Sequence, residues 1–141
     1  MNHWLFKTEP STYSFADLVR DKRTAWNGIR NFQARNFLKQ TRKGDLVLIY
    51  HSGDDKAVVG VAKILAEPYP EIDPTDPKGE WVQVDLSAVS SLKNPVALAE
   101  IKTTAKLKGL LMLKQSRLSA MPVSKAEFEL ISRLGEKKAG K

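Results

Sequence analysis

Residues 44–65 read GDLVLIYHSGDDKAVVGVAKIL, and this stretch decides the fold. Leu46 to Tyr50 and Ala57 to Leu65 are apolar runs rich in β-branched residues, and Gly53-Asp54-Asp55 separates them. Two such runs joined by a short turn-forming segment predict an antiparallel hairpin. The strands follow one another directly, with no helical segment between them. A small, partly open barrel is therefore expected in place of a βαβ sandwich.

Upstream, His3 to Thr8 reads as a short strand containing Trp4, Leu5 and Phe6, broken by Glu9-Pro10-Ser11. Ser14 with Asp17 three positions on predicts a capped short helix with an apolar stripe of Phe15, Leu18 and Val19. Trp26-Asn27-Gly28 reads as a turn. Asn31 is placed to cap a second helix running to Gln40, with Ala34, Phe37 and Leu38 on one face. Downstream, residues 67–79 hold four prolines and predict a long loop. Trp81 to Leu86 alternates as a half-buried strand, and short helices are expected at 96–102 and 106–113. A last strand is expected at 117–120. Ser124-Lys125-Ala126-Glu127 is a capping box that opens a helix to Leu134. The fold class is α+β, with about five or six mostly antiparallel strands and flanking short helices.

The chain has 141 residues, 23 Lys and Arg against 16 Asp and Glu, and a net charge of +7. That length suits one domain with a core large enough to stand without staples. The charge is blocked along the chain. Residues 1–43 carry net +6, residues 44–100 net −6 and residues 101–141 net +7. Basic ends that meet in space would make a face attractive to phosphate. The segment from Glu136 onward is a basic tail, so the folded domain is placed at 1–135. The absence of cysteine removes disulfide frameworks, thiolate metal sites and thiol nucleophiles. With only His3 and His51 for histidine ligands, no metal site and no cofactor is expected. No signal peptide or membrane span is read, so the expected location is cytoplasmic.

Four segments carry candidate chemistry. In Trp4-Leu5-Phe6-Lys7-Thr8-Glu9-Pro10, strand alternation puts Lys7 and Glu9 on one side of the strand and Trp4, Phe6 and Thr8 on the other. The segment from Trp26 to Asn36 combines an aromatic, several amides, Arg30 and Arg35. Tryptophan offers a face for stacking a base, amides can read a base edge, and guanidinium groups hold phosphates. The alternative is a core Trp26, a capping Asn31 and a solvated basic face. Tyr50-His51-Ser52 ends a strand, where adjacent side chains point to opposite faces, so a Ser52–His51 nucleophilic pair is disfavoured. Arg117 and Ser119 share one face of the last strand and could line a pocket. Glu71, Asp73, Asp76 and Glu80 match no cation-binding loop and read as a solvated acidic segment.

These segments in this order resemble the EVE domain family of the PUA-like superfamily. The resemblance rests on Trp4-x-x-Lys7-Thr8-Glu9-Pro10 and on Trp26-x-Gly28-Ile29-Arg30-Asn31-x-Gln33-Ala34-Arg35-Asn36. Gly44-Asp45 leading to Tyr50-His51-Ser52, Gly60-Val61-Ala62, the Glu67-Pro68-Tyr69-Pro70 turn, Trp81 to Asp85 and Arg117-Leu118-Ser119 complete it. It covers about residues 2–134 and looks like a bacterial stand-alone member. Thr8 stands where the family commonly has serine, and Ala120 where it commonly has valine.

The resemblance implies a PUA-like pseudo-barrel, related to the YTH and ASCH folds. It also implies a non-catalytic role in binding DNA or RNA that carries a modified base, held in a pocket on the barrel. Carried onto this chain, Trp26 would stack on the base. Asn31, Ser52 and Lys7 would meet its polar edge, with Glu9 orienting Lys7 or accepting from an exocyclic amine. Trp4, Tyr50, His51 and Ser119 would complete the pocket. Arg30, Arg35, Arg117 and Lys39 would hold flanking phosphates. The charge pattern adds that Arg30, Arg35 and Arg117 lie on one face, with the acidic loop away from it. Alternative functions are an enzyme acting on a nucleotide or modified base, with Lys7, Glu9 and His51 as its acid–base groups, and a protein-interaction module. The expected partner is nucleic acid, with no membrane or metal partner and a monomer or weak dimer as the assembly.

Overall fold

The computed structural model describes residues 1–136; the rest of the basic tail lies outside the described residues. The described residues form seven strands and five α-helices. The strands are β1 (His3–Thr8), β2 (Arg23–Trp26), β3 (Leu46–His51), β4 (Ala57–Ile64), β5 (Tyr69–Pro70), β6 (Val82–Ala97) and β7 (Ala120–Val123). The helices are α1 (Phe15–Asp21), α2 (Phe32–Leu38), α3 (Leu98–Thr103), α4 (Leu111–Lys114) and α5 (Lys125–Glu136). The sheet runs β2-β6-β4-β3-β1-β7, with β5 appended to β6.

The expected hairpin is β3–β4, antiparallel and bulged between Ile49 and Tyr50. All pairings are antiparallel except β1–β3. That pair is parallel because the chain between them makes a crossover through α1, β2 and α2. Although β1 and β2 stand far apart in the sheet order, Phe6 of β1 and Trp26 of β2 have ring centroids 6.1 Å apart. The sheet therefore curls into a pseudo-barrel. Register shifts between Val58 and Gly60 and between Val61 and Ala62 lie in the β4–β6 ladder, where bulges supply local bending. The interior is filled by Leu5, Phe6, Leu18, Leu48, Ile49, Ile64 and Leu86, all fully buried.

All three capping predictions match the structure. Ser14 and Asp17 form the capping box of α1, Asn31 Oδ1 accepts from the Ala34 amide at the start of α2, and at the start of α5 Ser124 Oγ accepts from the Glu127 amide while Glu127 Oε1 accepts from the Ser124 amide. Four readings are corrected. Arg23–Trp26 is a strand leading into the turn, paired with β6. β6 continues to Ala97, well past the alternating stretch, because pairing with β4 holds a polar segment that has no period of its own. The helix expected at 106–113 splits into a 3₁₀ turn at Ala105–Leu107 and the short α4. The last strand lies at Ala120–Val123, beyond the expected 117–120, and tolerates Pro122 because it is an edge strand.

Candidate functional site

The curl brings the end of β1 against the β2–α2 corner and leaves a cleft of about 580 Å³ between them. Lys7 and Thr8 line it from β1, Glu9 from the turn just after that strand, Ser119 from the segment before β7, and Trp26 to Asn31 from the β2–α2 corner. The sequence fixes these walls locally. Glu9 precedes Pro10 and so favours extended backbone. Its carbonyl accepts the amides of Thr12 and Tyr13, closing a tight turn. Thr8 Oγ1 donates to the Tyr13 carbonyl at 2.6 Å, which secures Tyr13 edge-on against Trp26, with centroids 6.2 Å apart. Gly28 sits at φ +81, a left-handed conformation that reverses the chain between β2 and α2.

Trp26 combines the two readings made of it. It is wedged between Phe6 and Tyr13 with 8% of its surface exposed, and it still contributes to the cleft wall. Lys7 lines the same cleft. Its Nζ donates to the Ser116 carbonyl at 2.9 Å and lies 5.7 Å from the Tyr50 ring centroid. Burial lowers the ammonium pKa below the usual lysine value. A half-desolvated cation of this kind gains more than a surface lysine from a new acceptor.

Six of the anticipated residues therefore line one cleft: Lys7, Glu9, Trp26, Arg30, Asn31 and Ser119. The others lie elsewhere. Trp4 is buried toward the opposite end of β1, where its Nε1 donates to Asp45 Oδ2 at 2.9 Å. His51 uses both ring nitrogens in the fold: Nε2 accepts from the Phe15 amide, and Nδ1 lies 3.0 Å from Asp55 Oδ2. Tyr50 is buried behind Lys7, its partner in the β1–β3 register. Ser52 is half-buried and tied to β1 by its amide, which donates to the Thr8 carbonyl. Glu9 does not orient Lys7; its Oε1 accepts from the amide and hydroxyl of Ser11. Arg117 is exposed between Ser116 and Ser119, and Lys39 caps the far end of α2, roughly 12 Å along the helix from Asn31.

The acidic segment is not remote from the basic groups. Arg30 Nη1 donates to Glu71 Oε2 at 2.8 Å, and its Nη2 donates to Asp73 Oδ2 at 3.1 Å. Short pairing of β5 with β6 folds the proline-rich loop back onto the β2–α2 corner. Asn27, one of the amides of the Trp26–Asn36 segment, lines the cleft, as do Tyr13 and Thr24, which the sequence does not single out. The turn at Tyr13 depends on a side-chain bond from Thr8 that no local pattern announces. Among the described residues no group of three or more His, Cys, Asp or Glu is arranged to hold a metal ion, and no helix is long and apolar enough to cross a membrane.

An α+β pseudo-barrel whose seam opens into a cleft beside a buried tryptophan is of the PUA-like class. Within that class the chain belongs to the EVE domain family, whose model matches residues 2–134. Thymocyte nuclear protein 1 of Gallus gallus is 33% identical over 96% of this chain and 69% of its own length. A protein from Rhodopseudomonas palustris, solved by NMR, is 38% identical with a TM-score of 0.89, covering 100% of this chain and 99% of its own. Human THYN1, solved in complex with 5-methylcytosine-containing DNA, is 30% identical with a TM-score of 0.90, covering 98% of this chain and 99% of its own.

Proposed function

We propose that this protein binds nucleic acid carrying a modified base and holds that base in the cleft between Lys7 and Trp26, without acting on it chemically. The observation that carries the reading is the cleft itself. Its volume of about 580 Å³ lies within the usual range for small-molecule sites. Its lining is aromatic at Trp26 and also presents the half-buried ammonium of Lys7 and the hydroxyl of Ser119. Taking a base out of its stack costs a few kcal/mol. Contact with Trp26 and hydrogen bonds from Lys7 and Ser119 would offset that cost. Arg35 and Arg117 would hold flanking phosphates. The 5-methylcytosine DNA bound by human THYN1 supports the reading and makes DNA the first probe.

The test is a titration of matched DNA and RNA oligonucleotides, plain and modified, across a salt series. Tighter binding of at least one modified strand at every salt concentration is expected. Equal affinity for plain and modified strands would remove the proposal.

A further inference from the structure

Beside the cleft, outside its lining, Phe32 is the most exposed aromatic side chain among the described residues, at 64%. It is the first residue of α2 and directly follows Asn31, which does line the cleft. Its ring stacks on Trp81, with centroids 5.2 Å apart and planes 26° apart. The Arg35 guanidinium lies 5.0 Å from the Phe32 centroid and 5.4 Å from that of Trp81. Arg30, a cleft residue, lies 5.1 Å from the Trp81 ring on its own account.

The two arginines differ in charge balance. Glu71 and Asp73 neutralise Arg30, whereas Arg35 bonds only the side-chain oxygen of Asn36 and has no acidic partner among the described residues. An exposed ring, braced from below and set next to an unneutralised guanidinium, is matched to a ligand that is flat and apolar at one end and anionic at the other. A nucleotide has that form. Aromatic platforms of this kind stack bases with little regard to sequence, and cations against their faces add to the attraction.

We infer that Phe32, braced by Trp81, is a stacking platform for the base next to the one held in the cleft, with Arg35 taking the phosphate of that nucleotide. The inference rests on the proposed nucleic-acid reading and extends it to a second subsite. It assigns Phe32 a role that helix formation does not ask of it. A polar residue would serve as well at an exposed first helical position, and burial gives little reason for a phenylalanine there.

The experiment is a cycle of two proteins and three DNA strands. The proteins are the full chain and Phe32→Ala; the probes are one DNA strand containing 5-methylcytosine and the same strand with the neighbouring base on either side replaced in turn by an abasic residue. The full chain should bind one of the abasic strands roughly tenfold more weakly than the intact strand, the size expected for one base stacked on one ring. Phe32→Ala should bind the intact strand weakly by a similar factor and should not distinguish it from that abasic strand. Phe32→Tyr should restore the discrimination. Because the side chain is mostly exposed, the melting temperature of Phe32→Ala should stay close to that of the full chain. Equal loss on base removal in both proteins, or full-strength binding of the intact strand by Phe32→Ala, overturns the platform. A comparison of 5-methylcytosine with cytosine in the full chain reports on the cleft separately. A coupled cycle without preference for 5-methylcytosine keeps the platform and removes 5-methylcytosine as the base held in the cleft, and no measurable binding of the DNA strand or of its RNA counterpart removes both the platform and the nucleic-acid reading.

Discussion

Arg30 and Glu71 form an ion pair across 41 residues of sequence, Nη1 to Oε2 at 2.8 Å, at the edge of the cleft. The same carboxylate oxygen accepts the Gly28 amide at 3.3 Å, and Asp73 takes the second nitrogen of the guanidinium. Two carboxylates thus occupy donors that a phosphate would otherwise use. Glu71→Gln combined with Asp73→Asn should therefore tighten binding to DNA. It should also steepen the dependence of log K on log salt by about one unit, the change expected for one added phosphate contact. Titration at three or more salt concentrations checks this; weaker binding would show that the acids serve to orient Arg30 for its ligand.

Lys7→Met keeps the aliphatic stem over Tyr50 and removes the charge. Loss of a charge-assisted hydrogen bond should cost about 1.5–3 kcal/mol of affinity for a modified strand. The salt slope should stay near that of the parent, because Lys7 faces a base edge in the proposed arrangement. A slope lowered by about one unit would place Lys7 on a phosphate.

Trp4→Phe should damage stability and spare binding. Asp45 accepts from Trp4 Nε1, from the Asn2 amide and from the Arg42 amide. Removing the indole donor leaves a buried carboxylate oxygen short of a partner, at a cost of about 1–3 kcal/mol. Urea denaturation should show that loss, while the affinity of the folded variant for DNA stays unchanged. A selective loss of affinity would return Trp4 to the binding site.

His3 supplies a pH dependence. It is buried against Phe128, with ring centroids 4.7 Å apart. Burial first, then the charges of Lys125 and the amino terminus, hold its pKa below the ordinary 6.5. Asp45 and Glu129 oppose the shift with smaller effect. The folded state then binds fewer protons than the unfolded state between the lowered pKa and 6.5. Stability from this group is complete above about pH 6.5 and declines as pH falls through that window. The melting temperature should drop between about pH 7.5 and 5.5, and His3→Gln should reduce the drop. An unchanged profile in the variant would assign the acid sensitivity to other groups.

Local patterns account for most of what was legible beforehand. The β3–β4 hairpin, the caps at Ser14 and Asn31 and the strand at His3–Thr8 all depend on residues within a few positions of one another. The motif from Lys7 to Glu9 and that from Trp26 to Asn31 do face one cleft. Trp4, Tyr50 and His51 carry the same chemical types and sit in the same family motifs, but the fold consumes them. Trp4 satisfies Asp45, His51 satisfies the Phe15 amide, and Tyr50 backs Lys7. Residue type reveals what a side chain can bond, whereas burial and register decide which bond it makes.

The charge pattern shows the same division. The sequence by itself determined that both ends of the chain are basic and its middle acidic, because charge is a property of composition. It determined the strand and cap signals, because those arise from neighbours along the chain. Only the tertiary structure decided that Glu71 and Asp73 would meet Arg30, that Arg35 would remain without an acidic partner, and that Phe32 and Trp81 would stack beside the cleft. Those relationships depend on how the sheet curls and where the proline-rich loop returns, and curl and return are set by strand pairings between residues far apart in sequence.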